Sequence, residues 1–221
     1  MTRAALPPAA PSDDLRDYLP AIEPDRTVSD WGRSERLEGL LDRTLYSFLY
    51  HYWDQLSDAA RRRFGIALPY EDQVTWGITL LRPEQIQACV EETHSETRVL
   101  AAEPYPGAVE AVRAWHDDGH FIQITSHRAS GSYEATARWL ERIGLPYDEL
   151  YCSYDKVARC REIAIDVLID DSPVNLERAL EAGITAATLL HPWNRELCET
   201  EDVICADDWD GLARRLAPVL A

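Results

Sequence analysis

Two adjacent carboxylates end a short run of branched apolar residues in the second half of the chain. The run Val167–Ile169 is followed directly by Asp170 and Asp171, and its composition is typical of a buried strand. Carboxylates beside a buried strand are costly unless a positive charge meets them, and ligands of open α/β sheets bind at this edge. The pair therefore predicts a divalent cation, Mg²⁺, which prefers carboxylate oxygens and keeps waters for a phosphate ligand. The alternative is a solvated turn in which one carboxylate caps the next helix.

Three other polar segments are expected at the same edge, because each follows a predicted strand. The first, residues 23–30, contains Glu23 and Asp25. The second, residues 125–128, supplies hydroxyls and backbone N–H groups, and the third supplies the ammonium group of Lys156. Phosphoryl transfer needs this combination, since most of its catalysis is positioning and charge neutralisation. Together the segments predict a site that binds and processes a phosphate group.

Alternating helices and strands are expected to position these segments. After a turn at 104–107, helical patterns alternate with short apolar runs, which favours a parallel sheet with right-handed crossovers. The runs predicted as strands are 121–124, 150–152, 167–169 and 185–190. A weaker first strand is predicted at 18–22, where Pro20 interrupts the apolar pattern.

A helical region separates this first strand from the rest of the predicted sheet. Apolar residues at helical spacing predict a long amphipathic helix over 37–56 and a second helix over 83–99. The chain is therefore expected to be of the α/β class, with a small helical cap inserted after the first strand. The predicted boundaries are a flexible tail at 1–17, a core domain from 18–32 and 103–221, and the cap at 33–102.

Composition excludes several classes of partner. The net charge of −17 argues against a nucleic-acid-binding face and against binding to an anionic membrane. The negative net charge does not exclude a small phosphate ester as substrate, because the local field at a metal site overrides the global charge. The five cysteines lack zinc-ligand spacing, so reduced, mostly buried thiols in a cytoplasm are expected. No apolar stretch reaches membrane-spanning length, and residues 1–11 lack the apolar region of a signal peptide.

The motifs resemble those of the haloacid-dehalogenase (HAD) superfamily and, within it, the 5′(3′)-deoxyribonucleotidase or type C nucleotidase family. The likeness runs from Ile22 to Trp209 and is strong from Glu103 to Asn194. The segments that carry it are 25–31, 103–112, 124–126, Lys156, 168–171 with Asn175, and 191–194. The resemblance implies a Rossmannoid three-layer core with a cap, Mg²⁺ as cofactor and a small, nucleotide-like phosphorylated substrate.

The resemblance also implies the catalytic and metal-binding roles. The carboxylate at position 23 attacks the phosphorus, while Asp25 protonates the leaving alcohol and then activates a water. The implied metal ligands are the side chain of Glu23, the backbone carbonyl of Asp25 and the carboxylate of Asp171. Around them, Asp170 or Asn175 would order the water shell of the metal.

The phosphate itself would be held by three residues from the second and third segments. These are the Oγ of Thr125, the backbone of Ser126 and the ammonium group of Lys156. Each has a structural alternative, because Thr125 also suits a plain strand position and Lys156 also suits an exposed helix start.

Position 23 departs from the family pattern, which has an aspartate nucleophile there. Glu23 is one methylene longer, and a displacement of about 1 Å can cost on the order of a hundredfold in rate. Pro20 and Pro24 further alter the segment that presents it. Three outcomes stay open: a slow phosphatase, a binding protein without turnover, or a different reaction on the same scaffold.

The other end of the substrate is expected to meet the cap and the loop after Ser126. Trp76, next to Gly77, is the candidate for stacking on a nucleobase, with packing as the alternative. Arg128 and His127 are expected to contact the phosphate or the base, or to lie on the loop surface. The aromatic surface of the cap is expected to act as a lid or as the interface of a homodimer.

Overall fold

Six parallel strands form one sheet in the order β3-β2-β1-β4-β5-β6. The computed structural model describes residues 52–126, 133–152 and 156–221, and the backbone of residues 43–46. The strands are β1 Arg43–Tyr46, β2 Phe121–Ser126, β3 Glu149–Cys152, β4 Val167–Ile169, β5 Thr185–Leu189 and β6 Ile204–Ala206. This is the parallel sheet that the alternating sequence pattern predicts.

Helices cover both faces of the sheet. Their bounds are α1 Tyr52–Phe64, α2 Pro83–Thr93, α3 Glu96–Leu100, α4 Ala108–Asp117, α5 Tyr133–Ile143, α6 Lys156–Glu162, α7 Pro173–Glu181, α8 Arg195–Thr200 and α9 Trp209–Leu216. Side chains of α4, α5 and α9 pack in one core with Ile122 and Ile124, whereas those of α6 and α7 pack in a second core with Leu168. Because side chains alternate along a strand, the same strands serve both cores and the molecule has three layers.

Helices α1 and α2 enclose a third, smaller core, which is formed by residues that come before α4 in the chain. Its buried residues include Leu56, Leu68 and Ile86. On the outside, Arg98 bridges Asp58 at 3.0 Å and Glu92 at 3.1 Å, which links α3 to both helices. None of the helices in the described part of the chain has the length and apolar character needed to cross a bilayer.

The centre of the sheet differs from the sequence prediction. Residues 43–46 were expected inside one helix over 37–56, and that prediction is wrong there, since Arg43–Tyr46 is the strand between β2 and β4. Its Thr44, Leu45 and Tyr46 fit strand as well as helix, and hydrogen bonding to two neighbours selects the strand. The first strand predicted at 18–22 lies outside the described residues.

A disulfide joins Cys198 of α8 to Cys205 of β6, with Cα atoms 6.1 Å apart. The expectation of five reduced thiols is therefore wrong for this pair. The two cysteines are 7 positions apart in the chain, and their Cα separation lies within the range of disulfides. The spacing of the cysteines in the sequence could not indicate this disulfide, because the two elements that carry them, α8 and β6, were not predicted. The other cysteines lie outside the disulfide and are Cys89, Cys152 and Cys160.

Candidate active site

Three neighbouring strands end side by side at the carboxyl edge of the sheet. In the register of the sheet, Tyr46 lies opposite Ile124 on one side and opposite Ile169 on the other. The next residues along β2 and after β4 are Thr125 and Asp170. The fold therefore brings the predicted second and fourth motifs to one edge, on either side of β1.

Asp170 is fully buried and its carboxylate is held by protein donors. Lys156 Nζ lies 2.9 Å from Oδ2, while the backbone N–H of Ser172 and the side chain of Asn175 donate to Oδ1 at 2.8 and 3.2 Å. Both ends of the ion pair are inaccessible, with Lys156 4% and Asp170 0% exposed. The structure thus excludes the exposed helix-start alternative for Lys156, and it places Asp170 as the residue that anchors the ammonium group.

Lys156 is the only lysine in the whole sequence, although the chain has many arginines. An ammonium group is a compact point charge with three donors, whereas the arginine fork is planar and larger. One of the three ammonium protons is used in the bond to Asp170. Its being the only lysine is a second sequence feature, besides the motif, that points to Lys156.

Asp171 presents the second carboxylate of the pair, and the residue as a whole keeps some exposure. Desolvation of its carboxyl group by the surrounding protein, together with the negative charge of Asp170, raises the pKa of Asp171 to about 7, against a lowering effect of Lys156. A bound cation would favour the ionised form of this group. Mg²⁺ is commonly held by one or two carboxylates together with water and a substrate phosphate, so Asp171 suits that ion. Among the described residues, no group of three acidic, histidine or cysteine side chains converges on one point.

Thr125 is fully buried, and Ser126, the last residue of β2, has little exposure. The side-chain amide of Gln123, two residues earlier on the same face, donates to Thr125 Oγ1 at 3.1 Å. Because a hydroxyl has one proton and this bond occupies a lone pair, the Thr125 proton stays available for another acceptor. The sequence analysis did not predict a role for Gln123. The only indication in the sequence is a polar residue inside an otherwise apolar strand.

Several predicted site residues lie outside the described residues. These are Glu23 and Asp25 of the first motif, and His127 and Arg128 after β2. Their roles stay predictions.

Five rings form an aromatic cluster between the helical region and the sheet edge: Trp53, Tyr70, Trp76, His191 and Trp193. Trp193 is at its centre, with ring centroids 5.8 Å from Trp53, 5.6 Å from Tyr70 and 6.2 Å from Trp76. His191 stacks on Trp193 at 4.4 Å with planes 5° apart. The stacking candidate Trp76 therefore lies against another ring beside the site.

The aromatic cluster touches the acidic pair directly. Trp193 Nε1 donates to the backbone carbonyl of Asp171 at 2.9 Å. A pocket of about 290 Å³ adjoins the cluster, and its lining includes Trp53, Tyr70 and Asp54. The sequence indicated Trp193 only through the segment 191–194 after β5, because the partners of its ring come from residues far away in the chain.

Comparison with known proteins identifies a family for most of the chain. The model of the family described as 5′ nucleotidase, deoxy (pyrimidine), cytosolic type C, matches residues 41–216. A protein of Chlorobaculum tepidum named "Putative 5′(3′)-deoxyribonucleotidase" is 25% identical over 149 residues, which cover 63% of this chain and 72% of that protein.

Solved structures show the same fold at low sequence identity. A HAD family hydrolase from Deinococcus radiodurans, with bound phosphate and sodium, superposes with a TM-score of 0.58 at 16% identity over 81% of this chain and 97% of its own. A protein described as a predicted phosphatase from Clostridium acetobutylicum gives a TM-score of 0.58 at 12% identity, covering 81% of this chain and all of its own. The HAD-like fold predicted from the motifs is confirmed.

Proposed function

Because the chain belongs to the family of cytosolic type C 5′-nucleotidases, we propose that it hydrolyses a small, nucleotide-like phosphomonoester at the carboxyl edge of the sheet with the help of Mg²⁺. One observation carries the proposal most strongly. The only lysine of the chain is buried against Asp170, next to the partly exposed Asp171. Buried charges and perturbed pKa values concentrate at functional sites, and this pair follows β4 at the edge where ligands of α/β sheets bind.

The phosphate would be bound by donors from β2 and α6. Thr125 offers a hydroxyl proton that Gln123 leaves available, the end of β2 offers the backbone N–H of Ser126, and Lys156 offers its remaining ammonium protons. During transfer the equatorial oxygens of the phosphoryl group gain negative charge. Donors that are already in place before the reaction stabilise this charge most effectively. Their burial strengthens each interaction, because the surroundings screen charge less than water does.

The metal would be held by Asp171 together with Glu23 and the backbone carbonyl of Asp25. When bound, Mg²⁺ supplies charge neutralisation at the phosphate oxygens. Asp170 and Asn175 bond to each other, so their part is to fix the turn that presents Asp171. This is the positioning role that residues behind a metal ligand commonly have.

The chemistry would proceed in two displacements at phosphorus. The Glu23 carboxylate forms a bond to phosphorus while the P–O bond of the ester breaks, and Asp25 gives its proton to the departing alcohol. Asp25 then takes a proton from a water, whose oxygen bonds to phosphorus as the bond to Glu23 breaks. The products are the alcohol and inorganic phosphate, and both carboxylates return to their starting states.

The remainder of the substrate would lie towards the helical region. Trp76 of the aromatic cluster offers a ring face for a planar base. Arg128 would contact the phosphate or the base from the loop after β2. The substrate class is therefore a phosphate ester that carries an aromatic ring, as nucleoside monophosphates do.

A second candidate function is binding of the same phosphate ester without turnover. The predicted nucleophile, Glu23, was expected directly after the first strand of the sheet. In the structure Arg43–Tyr46 is a strand in the middle of the sheet, and the five residues after it, 47–51, include no carboxylate that could serve as a nucleophile. This favours binding without turnover. The family match also begins at residue 41, beyond Glu23 and Asp25. This candidate predicts that nucleotides stabilise the chain thermally but release no phosphate.

The Glu23→Asp variant separates the two candidates. Shortening the side chain restores the nucleophile length of the family pattern, so we expect phosphate release from deoxynucleoside monophosphates to rise by about a hundredfold. The measurement is a colorimetric phosphate assay with Mg²⁺ present, and Glu134→Asp on the exposed side of α5 is the matched control. If wild type and Glu23→Asp both release no phosphate while nucleotides still raise the melting temperature, the binding candidate replaces the hydrolase.

A further inference from the structure

The core side of the aromatic cluster is held rigidly by Asn194. This side chain is fully buried, accepts from the His191 backbone at 2.8 Å, and donates to Thr188 Oγ1 and to the Leu189 carbonyl, each at 3.0 Å. The turn that carries His191 and Trp193 is therefore fixed to β5. These hydrogen bonds restrict movement of Trp193 relative to the sheet, independently of its contacts with the helical region.

The helical side reaches this turn through a hydrogen bond and several ring contacts. Tyr70, in a short 3₁₀ turn over Tyr70–Asp72, shares a hydrogen bond of 2.7 Å with His191 Nδ1. The same tyrosine packs edge-on against Trp193. Because His191 also stacks on Trp193, Tyr70 holds the indole from two directions.

The far end of the indole meets the acidic pair. Trp193 donates its indole N–H to the backbone carbonyl of Asp171, next to the turn in which Ser172 N–H bonds to Asp170. A continuous path of contacts thus leads from Tyr70 to the backbone that aims the Asp171 carboxylate. We call Tyr70, His191 and Trp193 the aromatic relay.

We propose that the aromatic relay is a positioning device, through which contact of the helical region with the sheet edge holds Asp171 in the orientation that binds metal. Tyr70, His191 and Trp193 are positioning residues, since none of them supplies a group to the reaction. The metal-binding part of this proposal rests on the proposed function. The mechanical part, coupling of Tyr70 to the 169–175 segment, is independent of it.

Hydrogen exchange of the full chain tests the coupling without any ligand. Tyr70→Phe removes one hydroxyl and keeps the ring, so we expect amides in segment 169–175 to exchange about fivefold faster, as loss of one hydrogen bond allows. Tyr133→Phe makes the same chemical change at a half-exposed tyrosine of α5 and should leave that segment unchanged. Equal exchange in wild type and Tyr70→Phe, or equal acceleration in both variants, would overturn the proposal.

A second pair of variants tests the link to the metal. Trp193→Phe removes the N–H that bonds to Asp171, and Trp139→Phe removes a similar bond, from Nε1 to the Ala102 carbonyl at 2.8 Å, in the core. We expect Trp193→Phe to weaken Mg²⁺ binding, measured calorimetrically with inorganic phosphate, by about tenfold, and Trp139→Phe to leave it unchanged. Equal weakening in both variants would contradict the link. Absence of Mg²⁺ binding in wild type would count against the proposed function, whereas the exchange experiment would still decide the coupling.

Discussion

Replacing Lys156 by methionine is expected to lower the free energy of unfolding by about 3–5 kcal/mol, because it leaves a buried carboxylate without its cation. Asp170 is fully buried, and the ammonium group 2.9 Å away provides its compensating charge. The remaining donors, Ser172 N–H and Asn175, are neutral and cannot replace that charge. Methionine keeps the unbranched shape of lysine, so loss of packing should be small. Urea denaturation at pH 7 measures the change.

Two further variants separate this effect from a general weakening of α6. Arg161→Met, at an exposed position of the same helix, should change stability by less than about 0.5 kcal/mol. Adding Asp170→Asn to Lys156→Met removes the unpaired charge and should recover most of the loss. A loss below 1 kcal/mol in Lys156→Met would show that the Asp170 charge is compensated by other means.

Asp25→Asn is expected to lower the rate of phosphate release by about 10²–10⁴-fold, the usual contribution of a general acid and base. Asparagine has nearly the same shape but can neither give a proton to the leaving alcohol nor take one from water. The phosphate donors Thr125 and Lys156 are untouched by this change. We therefore expect the turnover number to fall while the Michaelis constant stays close to that of wild type.

The chain supplies a matched control for this variant. The pattern aspartate, arginine, threonine and aliphatic residue occurs at 25–28 and again at 42–45. The second copy begins one residue before β1 and lies within the family match. Asp42→Asn should keep wild-type turnover. If Asp42→Asn is the inactive variant and Asp25→Asn is active, the acid and base function belongs to residue 42 and the assignment to residue 25 is wrong.

The parts of the fold that were predictable are those with strong local signals. Val167–Ile169 is short and branched and ends in two acids, and the structure confirms it as β4, fully buried. The residue spacing predicts a helix from Ala108 to His116 with Gly119 as its stop, and α4 covers Ala108–Asp117. Where periodicity and end signals agree, local sequence and tertiary packing favour the same structure.

Other parts depended on contacts between distant residues. The apolar residues over 37–56 fit a helix by spacing, but pairing with β2 and β4 makes a strand of Arg43–Tyr46. The helix predicted over 83–99 divides into α2 and α3 around His94 and Ser95. Tertiary hydrogen bonds and packing override such local preferences, and a single sequence does not display them.

The candidate site shows the same division. The sequence predicts Thr125, Lys156 and Asp171 as site residues, and their roles stay predictions. In the structure Thr125 lies near the end of β2, and Lys156, at the start of α6, pairs with Asp170, the neighbour of Asp171. Gln123 and the contact between Tyr70 and His191 were not identified, because each depends on a distance in space. The hydrogen bond between Tyr70 and His191 joins residues separated by 121 positions in the chain.

Labelling the chain with lysine that carries ¹⁵N at Nζ gives the most direct test of the central claim, that phosphate binds beside Lys156 at the sheet edge. Since the sequence contains one lysine, the spectrum should contain one side-chain ammonium signal. We predict that inorganic phosphate with Mg²⁺ shifts this signal in a saturable manner, and that Asp171→Asn weakens the response. An ammonium signal that stays in place at saturating phosphate would contradict the account.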